Sequence, residues 1–352
     1  MTGAVLRRRL VTVAAAGLVV LAAPPAFAQG PAGSSTGSDA VDATFETLCT
    51  PTEPELEEIS GLASDGARMF AIGDSGTDRE VWVLGDYCRV TGSLTVPGVP
   101  VDVEDLALVD SRIWLSDTGD NNRVRASVAL TGIDPDTGTG SSHALVYPDT
   151  AHDAEALLVG ADGRPVIVTK ELLGAAGIYT ADQSLDDLPD GPTTLRRAGQ
   201  VRLGPTDTPG GPVPAVGSTL VTGGAVSADG RIVALRTYTD IYLFPAPDRD
   251  IVAALTGAEP IRVPMPNQPQ GEAVAFTPDG DLLSASEANG GPLQPIQVLW
   301  DATALVPLPA EERQVVAATV DGGVNRTAVT AAAVGVGAAA LGGALLYRTR
   351  RG

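Results

Sequence analysis

Four glutamates, Glu58, Glu104, Glu155 and Glu272, stand at matching places along the chain, each leading a short apolar run, and Thr222 takes the fifth such place. Thirteen to sixteen residues after each of these, a second polar residue closes another apolar run: Asp74, Asp117, Lys170, Thr237 and Glu287. If the two polar positions of every unit meet, many carboxylates converge, and like charges at short range raise one another's pKa. Three kinds of chemistry relieve such crowding. Lys170 and Arg236 can neutralise part of it as an internal salt-bridge network. A hard cation such as Ca²⁺ can be held by carboxylate, Asn and carbonyl oxygens. A carboxylate can instead keep its proton and serve as an acid or base.

The most metal-like segment is Asp117-Thr-Gly-Asp120-Asn121, with three oxygen donors in one loop. With Glu104 it gives an expected ligand set of Glu104, Asp117, Asp120 and Asn121. An Asx-rich turn explains the same run without a metal, and the opening residues can equally cap the backbone of a neighbouring unit. Asp102, Asp105, Asp153, Glu171, Tyr238, Asp240 and Gln270 should share the rim. The chain has two histidines, His143 and His152. His152, next to Asp153 and Glu155, is the better candidate, although a plain hydrogen-bonding role suits it too. No Gly-x-Ser-x-Gly elbow, phosphate-binding Gly-Lys-Ser/Thr loop or His-Glu-x-x-His pair occurs, so the catalytic classes those motifs serve have no support.

What positions these residues is a repeat. Between the two apolar runs of each unit lies a turn: Asp65-Gly66, Asp110-Ser111, Asp162-Gly163, Asp229-Gly230 and Asp279-Gly280. Asp-Gly is the favoured two-residue hairpin turn because both positions tolerate positive φ. Successive units start 46 to 67 residues apart, a period that signals a propeller or similar array. Four antiparallel strands per unit around an axis describe a propeller blade. The expectation is an all-β propeller over residues 43–320, five-bladed with room for a degenerate sixth. Residues 204–218, rich in Pro and Gly, read as an inserted loop. Strands at 294–300 and 313–319 can complete the fifth blade, and a strand at 43–49 can join it to close the ring. In a propeller the first strand starts on the face where the second ends, which brings each opening residue to its closing partner at the channel mouth.

The two ends carry addresses. Arg7, Arg8 and Arg9 precede an apolar run from Leu10 to Ala23, and Ala26-Phe27-Ala28 follows as a small-x-small cleavage signal; residues 1–28 thus read as a secretory signal peptide. Residues 29–42 form a flexible leader. Residues 321–327 form a stalk, and the uncharged stretch 328–347 is long enough to cross a bilayer as a helix. Arg348, Arg350 and Arg351 then put the 348–352 tail on the cytoplasmic side. The expectation is an exported protein held at the cell membrane by its own C-terminal helix, with the propeller outside. Without the end segments, 17 basic residues face 43 acidic ones, a charge of about −26, which repels nucleic acid and attracts cations. The two cysteines, Cys49 and Cys88, both lie in the exported part, where a lone pair is expected to form a disulfide.

Six segments carry a resemblance: Glu58-Ile-Ser-Gly-Leu-Ala, Glu104-Asp-Leu-Ala, Asp117-Thr-Gly-Asp-Asn, Asp153-Ala-Glu-Ala-Leu, Leu235-Arg-Thr-Tyr-Thr-Asp and Gln270-Gly-Glu-Ala-Val-Ala. Over residues 43–300 the chain resembles exported actinobacterial β-propellers described as WD40-like. It is more distantly similar to esterase-like phytase and gluconolactonase-type propellers. The resemblance implies the propeller fold and the Cys49–Cys88 pairing, and it brings no activity with it. The calcium-dependent distant relatives use acidic and Asn ligands at the channel, a pattern that maps loosely onto Glu58, Glu104, Asp120, Asn121 and Glu272. These readings converge on an acidic channel mouth, formed by Glu58, Asp74, Glu104, Asp117, Asp120, Asn121, His152, Glu155, Lys170, Arg236, Glu272 and Glu287. It would bind a ligand or extracellular partner, directly or through Ca²⁺. A cation-dependent hydrolase of lactones or esters and an envelope scaffold are the alternatives.

Overall fold

The expected turns do close hairpins, with chemistry that differs from turn to turn. Only Asp110-Ser111 has both residues at positive φ, 47° and 66°. At the other four turns the glycine alone does, with φ between 73° and 94°. In three of them the aspartate acts through its side chain: Asp65 Oδ1 accepts from the backbone N–H groups of Ala67 and Arg68 (2.9 and 2.6 Å), Asp162 Oδ1 from that of Arg164 (3.1 Å) and Asp229 Oδ1 from that of Arg231 (3.0 Å). At Asp65, Asp162 and Asp229 the Asp-Gly pair thus serves as an Asx acceptor followed by a left-handed residue, not as two left-handed residues.

The computed structural model describes residues 40–41, 43–74, 79–172, 175–214 and 216–308. The signal peptide, most of the leader, the stalk, the 328–347 span and the tail lie outside them, as does 313–319. No helix among the described residues is long and apolar enough to cross a membrane.

The described strands form five sheets. β1 (Glu46–Cys49) precedes blade one, which is β2 (Ile59–Ser64), β3 (Met69–Gly73), β4 (Glu80–Leu84) and β5 (Val90–Thr95). Blade two is β6 (Asp105–Val109), β7 (Arg112–Asp117), β8 (Val128–Ile133) and β9 (Gly140–Val146). Blade three is β10 (Ala154–Val159), β11 (Pro165–Thr169), β12 (Ala176–Thr180) and β14 (Arg196–Val201); the short β13 (Thr193–Thr194) pairs in parallel with β9 instead. Blade four is β15 (Val221–Val226), β16 (Ile232–Thr237), β17 (Asp240–Pro245) and β18 (Ile261–Pro264), with a helix, α1 (Ile251–Gly257), before its last strand. Blade five is β19 (Gln270–Phe276), β20 (Leu282–Glu287) and β21 (Ile296–Leu299). Its fourth strand is β1, paired antiparallel to β21 with Glu46 opposite Val298. The architecture is thus a five-bladed all-β propeller, closed by the N-terminal strand.

Burial falls from the axis outward. Every residue of β2, β10, β16 and β20 is buried, whereas β5, β14 and β1 are largely exposed. An inner strand is covered on both faces by adjacent blades, so it reads as a continuous apolar run rather than an alternating one. The apolar side chains gather in five clusters. The one between blades one and two, for example, joins Ile72, Val81 and Val83 to Leu106, Ile113 and Leu115. Inner strands also approach one another directly: a Cβ on Gly61 would lie 2.9 Å from the backbone of Asp105 and Leu106. Asp105, itself fully buried, staples three blades, since its Oδ2 accepts from Leu157 N of blade three (2.8 Å) and Gly224 N of blade four (3.1 Å). The disulfide forms between Cys49, on β1, and Cys88, in the turn after β4.

Candidate functional site

At the start of β2, β10, β15 and β19 the pairing with the next strand slips, between Ile59/Gly61, Ala154/Ala156, Val221/Gly223 and Gly271/Val274. Such bulges re-aim a side chain. The residues so displaced are Ser60, Glu155, Thr222 and, with Ala273, Glu272. Glu104, just ahead of β6, takes the same place in blade two. The first repeat therefore contributes Ser60, not Glu58, to the innermost ring. Ser60 Oγ donates to Val103 O (2.7 Å) and Thr222 Oγ1 to Gly271 O (2.8 Å), each bonding the next blade. The three glutamates lie instead among other carboxylates, each no more than 6 % exposed.

A second ring follows from the backbone ladder. Asp74 N donates to Glu58 O, Gly119 N to Asp102 O and Lys170 N to Asp153 O. Asp74, Gly119 and Lys170 are thus equivalent, and so are Glu58, Asp102 and Asp153. In blades four and five the residues in register with Lys170 are Tyr238 and Glu287. Blade two therefore presents Gly119 where Asp117 was expected, and blade four presents Tyr238 where Thr237 was expected. Gly119 has a steric reason: a Cβ there would collide with Glu104 Oε1 and the Asp102 carboxylate. Blades one, two, three and five each supply acid to these rings, and blade four supplies none.

Glu104, Asp153 and Glu155 come together, with one carboxylate oxygen of each within 4.8 Å of the others. Asp153 Oδ1 accepts from Asp120 N (2.9 Å). Lys170 Nζ donates to Glu155 Oε1 and lies 5.1 Å from the centre of the Tyr238 ring. Glu155 Oε2 is buried with no partner. Burial drives the Glu104 pKa well above the usual range, helped by Glu155 and Asp102. Burial likewise lifts Glu272 well up, with Glu155 adding to it. For Glu155, burial outweighs the opposing Lys170 and pushes the carboxyl up to about 7. Burial disfavours the Lys170 charge, but Glu155 and Glu272 more than offset this and hold its pKa above normal. Toward the opening, burial and Asp74 raise Asp102 to about 6 and Glu287 to about 8.

The remaining expected residues are placed as follows. Of the ligand set read from sequence, Glu104 alone belongs to the triad. Asp117 pins a loop, accepting from Val101 N and Asp102 N (3.3 and 3.0 Å) and pairing with Arg125 (2.8 Å). Asp120 is buried and accepts from Arg125 N (2.7 Å), and Asn121 is exposed. His152 Nε2 lies 2.8 Å from Tyr179 Oη and 3.1 Å from Asp149 Oδ1, in a cluster outside the triad. Arg236 is wholly buried between blades four and five, where Nη1 donates to Ser284 Oγ and meets Met265 Sδ at 3.0 Å. Burial lowers its pKa to about 10 against the pull of Glu272. Ser60 and Gly119 went unnoticed in the sequence. The apolar residues shared by Ile59-Ser60-Gly61-Leu62 and Ala154-Glu155-Ala156-Leu157 were the available signal for Ser60.

The opposite end of the same inner strands is different. There a cavity of about 650 Å³ is lined by all five blades, among them Leu62, Leu106, Leu157, Val226 and Phe276.

No family model matches the chain, and no curated protein matches it in sequence. Solved structures similar to it include three enzymes. One is a periplasmic gluconolactonase of Pseudomonas aeruginosa, 14% identical with a TM-score of 0.38, covering 68% of this chain and 67% of that one. The second is a luciferin-regenerating enzyme, 15% identical with a TM-score of 0.38, covering 73% and 77%. The third is a PQQ-bound aldose sugar dehydrogenase of Streptomyces coelicolor, 10% identical with a TM-score of 0.41, covering 74% and 98%. No residue role is transferred from them.

Proposed function

We propose that this is an exported, membrane-anchored propeller whose channel mouth holds a divalent cation on Glu104, Asp153 and Glu155 and, through it, binds an oxygen-bearing ligand. Export and anchoring rest on the apolar segments of the sequence. The cation rests on one observation: Glu155 Oε2 is buried, has no partner and belongs to a triad of converging carboxylates. A buried carboxylate oxygen without a partner is costly, and a hard cation satisfies it. All-oxygen donors favour Ca²⁺, Mg²⁺ or Mn²⁺ over thiophilic metals. Calorimetric titration with Ca²⁺ should show one saturable site that Glu155→Gln weakens at least about tenfold, the scale of a lost charged ligand. Absence of heat with Ca²⁺, Mg²⁺ and Mn²⁺ alike would remove the cation from the reading.

A hydrolase is the second reading, and Glu287 favours it. Burial and Asp74 raise its carboxyl to about 8 when no cation is bound, so it holds a proton at neutral pH that it can donate as a general acid. Turnover of a lactone or ester substrate that is lost in Glu287→Gln with Ca²⁺ affinity unchanged would establish this role.

A further inference from the structure

A second concave site lies away from the channel, where blades five and one meet beside the disulfide. Its volume is about 590 Å³, within the range of small-molecule sites. Tyr87, Trp300, Asp86, Asp279, Asp281 and Arg68 line it over an aliphatic floor that includes Leu84 and Val298.

Both aromatic side chains are presented to solvent, Tyr87 at 81 % and Trp300 at 52 % exposure. Tyr87 is held there against backbone preference. Tyr87 and Cys88 are consecutive left-handed residues, with φ of 59° and 57°. For a bulky side chain this costs about 1–3 kcal/mol, and the exposed ring recovers little of it by burial. Glycine would close the same turn without strain. Cys88, buried and bonded to Cys49, anchors the turn from inside. Trp300 is held by its indole N–H, which donates to Glu46 Oε2 at 3.2 Å.

The charges of the groove are one-sided. Arg68 is already engaged by Asp65 (2.8 Å) and Asp136 (2.9 Å). Asp281 Oδ1 accepts from Asp301 N (2.8 Å). The side chains of Asp86 and Asp279 make no hydrogen bond or ion pair among the described residues. An aromatic face is negative at its centre, so ring and carboxylate attract the same partner, a cation. The aliphatic floor favours one that also carries alkyl groups. We propose that the groove binds a small organic cation of the alkylated-ammonium class, between Tyr87 and Trp300 and against Asp86 and Asp279.

The test is to titrate the full chain with choline while recording tryptophan emission. Trp300 is the exposed indole of the three, Trp114 being buried and Trp82 half-buried. The uncharged isostere 3,3-dimethyl-1-butanol is the control. Choline should give a saturable change, weakened about tenfold or more in Tyr87→Leu and in Asp86→Asn/Asp279→Asn, with the alcohol at least about tenfold weaker than choline. Tyr87→Gly should lose binding while its Tm rises, which separates a binding role from a structural one. The proposal is overturned if the alcohol matches choline, if these variants bind as the parent does, or if no saturable response is seen up to about 10 mM. Glu155→Gln should leave choline binding intact, so this site and the channel cation can fail independently.

Discussion

The two mouths of the channel are made by the same five inner strands, yet one collects carboxylates and the other aliphatic side chains. At the aliphatic end Leu62, Leu106 and Leu157 pack the inner strands, and the polar lining, Ser64, Asp110, Ser227, Asp229 and Arg249, sits at strand ends and in turns. At the acidic end the strands bulge, hydroxyls and carboxylates turn inward, and Glu104, Asp105, Glu155 and Glu272 are all raised by burial. Asp105 offsets its burial by bonding three blades, whereas the crowded Glu104, Glu155 and Glu272 carry a burial cost that like charges only increase. The contrast separates an end of the channel packed by aliphatic side chains from an end where buried carboxylates gather.

The largest expected effect tests the acidic end. Lys170→Met leaves Glu155 and Glu272 without their shared countercharge and should lower stability by about 3–5 kcal/mol, the cost of a buried charge that loses its partner. Millimolar Ca²⁺ should recover much of that loss in chemical denaturation. Leu157→Ala, at the aliphatic end, should cost about 2–5 kcal/mol, with no sensitivity to Ca²⁺ or pH. If the two variants respond alike to Ca²⁺, the distinction between the mouths fails. The smallest effect is in pH. Glu287, ordinarily near 4.5, is raised to about 8 by burial and Asp74. Between those values the folded state holds a proton that the unfolded chain releases. Stability should therefore fall as pH rises from about 4.5 to 8. Thermal melts of Glu287→Gln should show a shallower fall over that window, and an unchanged slope would assign the effect to other groups.

How much of this was legible depends on the range of the interaction. The hairpins could be read because Asp-Gly chemistry is local, although its mechanism at Asp65 and Asp229 was an Asx acceptor. The ring of blades followed from the period, and the strand at 43–49 was legible as one able to join the fifth blade and close the ring. The site was harder. Matching repeats by acidic residues selected Glu58, but strand pairing puts Ser60 in the ring, because register is set by the partner strand. Asp117 looked like a ligand until the fold brought Arg125 and two backbone N–H groups to it. Gly119 matters through the side chain it lacks, and no pattern of donors could reveal it. Asp153 had been placed on the rim, but its approach to Glu104 depends on two blades meeting.

Closure by β1 sets the timing of assembly. Glu46 pairs with Val298, so the first strand of the propeller waits for almost the last residue of the ring before its partner exists. A chain emerging N-terminus first can form blades one to four in turn, each resting on the one before, while β1 stays an open edge. Only the full-length product can seal the ring. Molecules cut short before β21 leave β1 without its partner, an edge open to pairing with another chain.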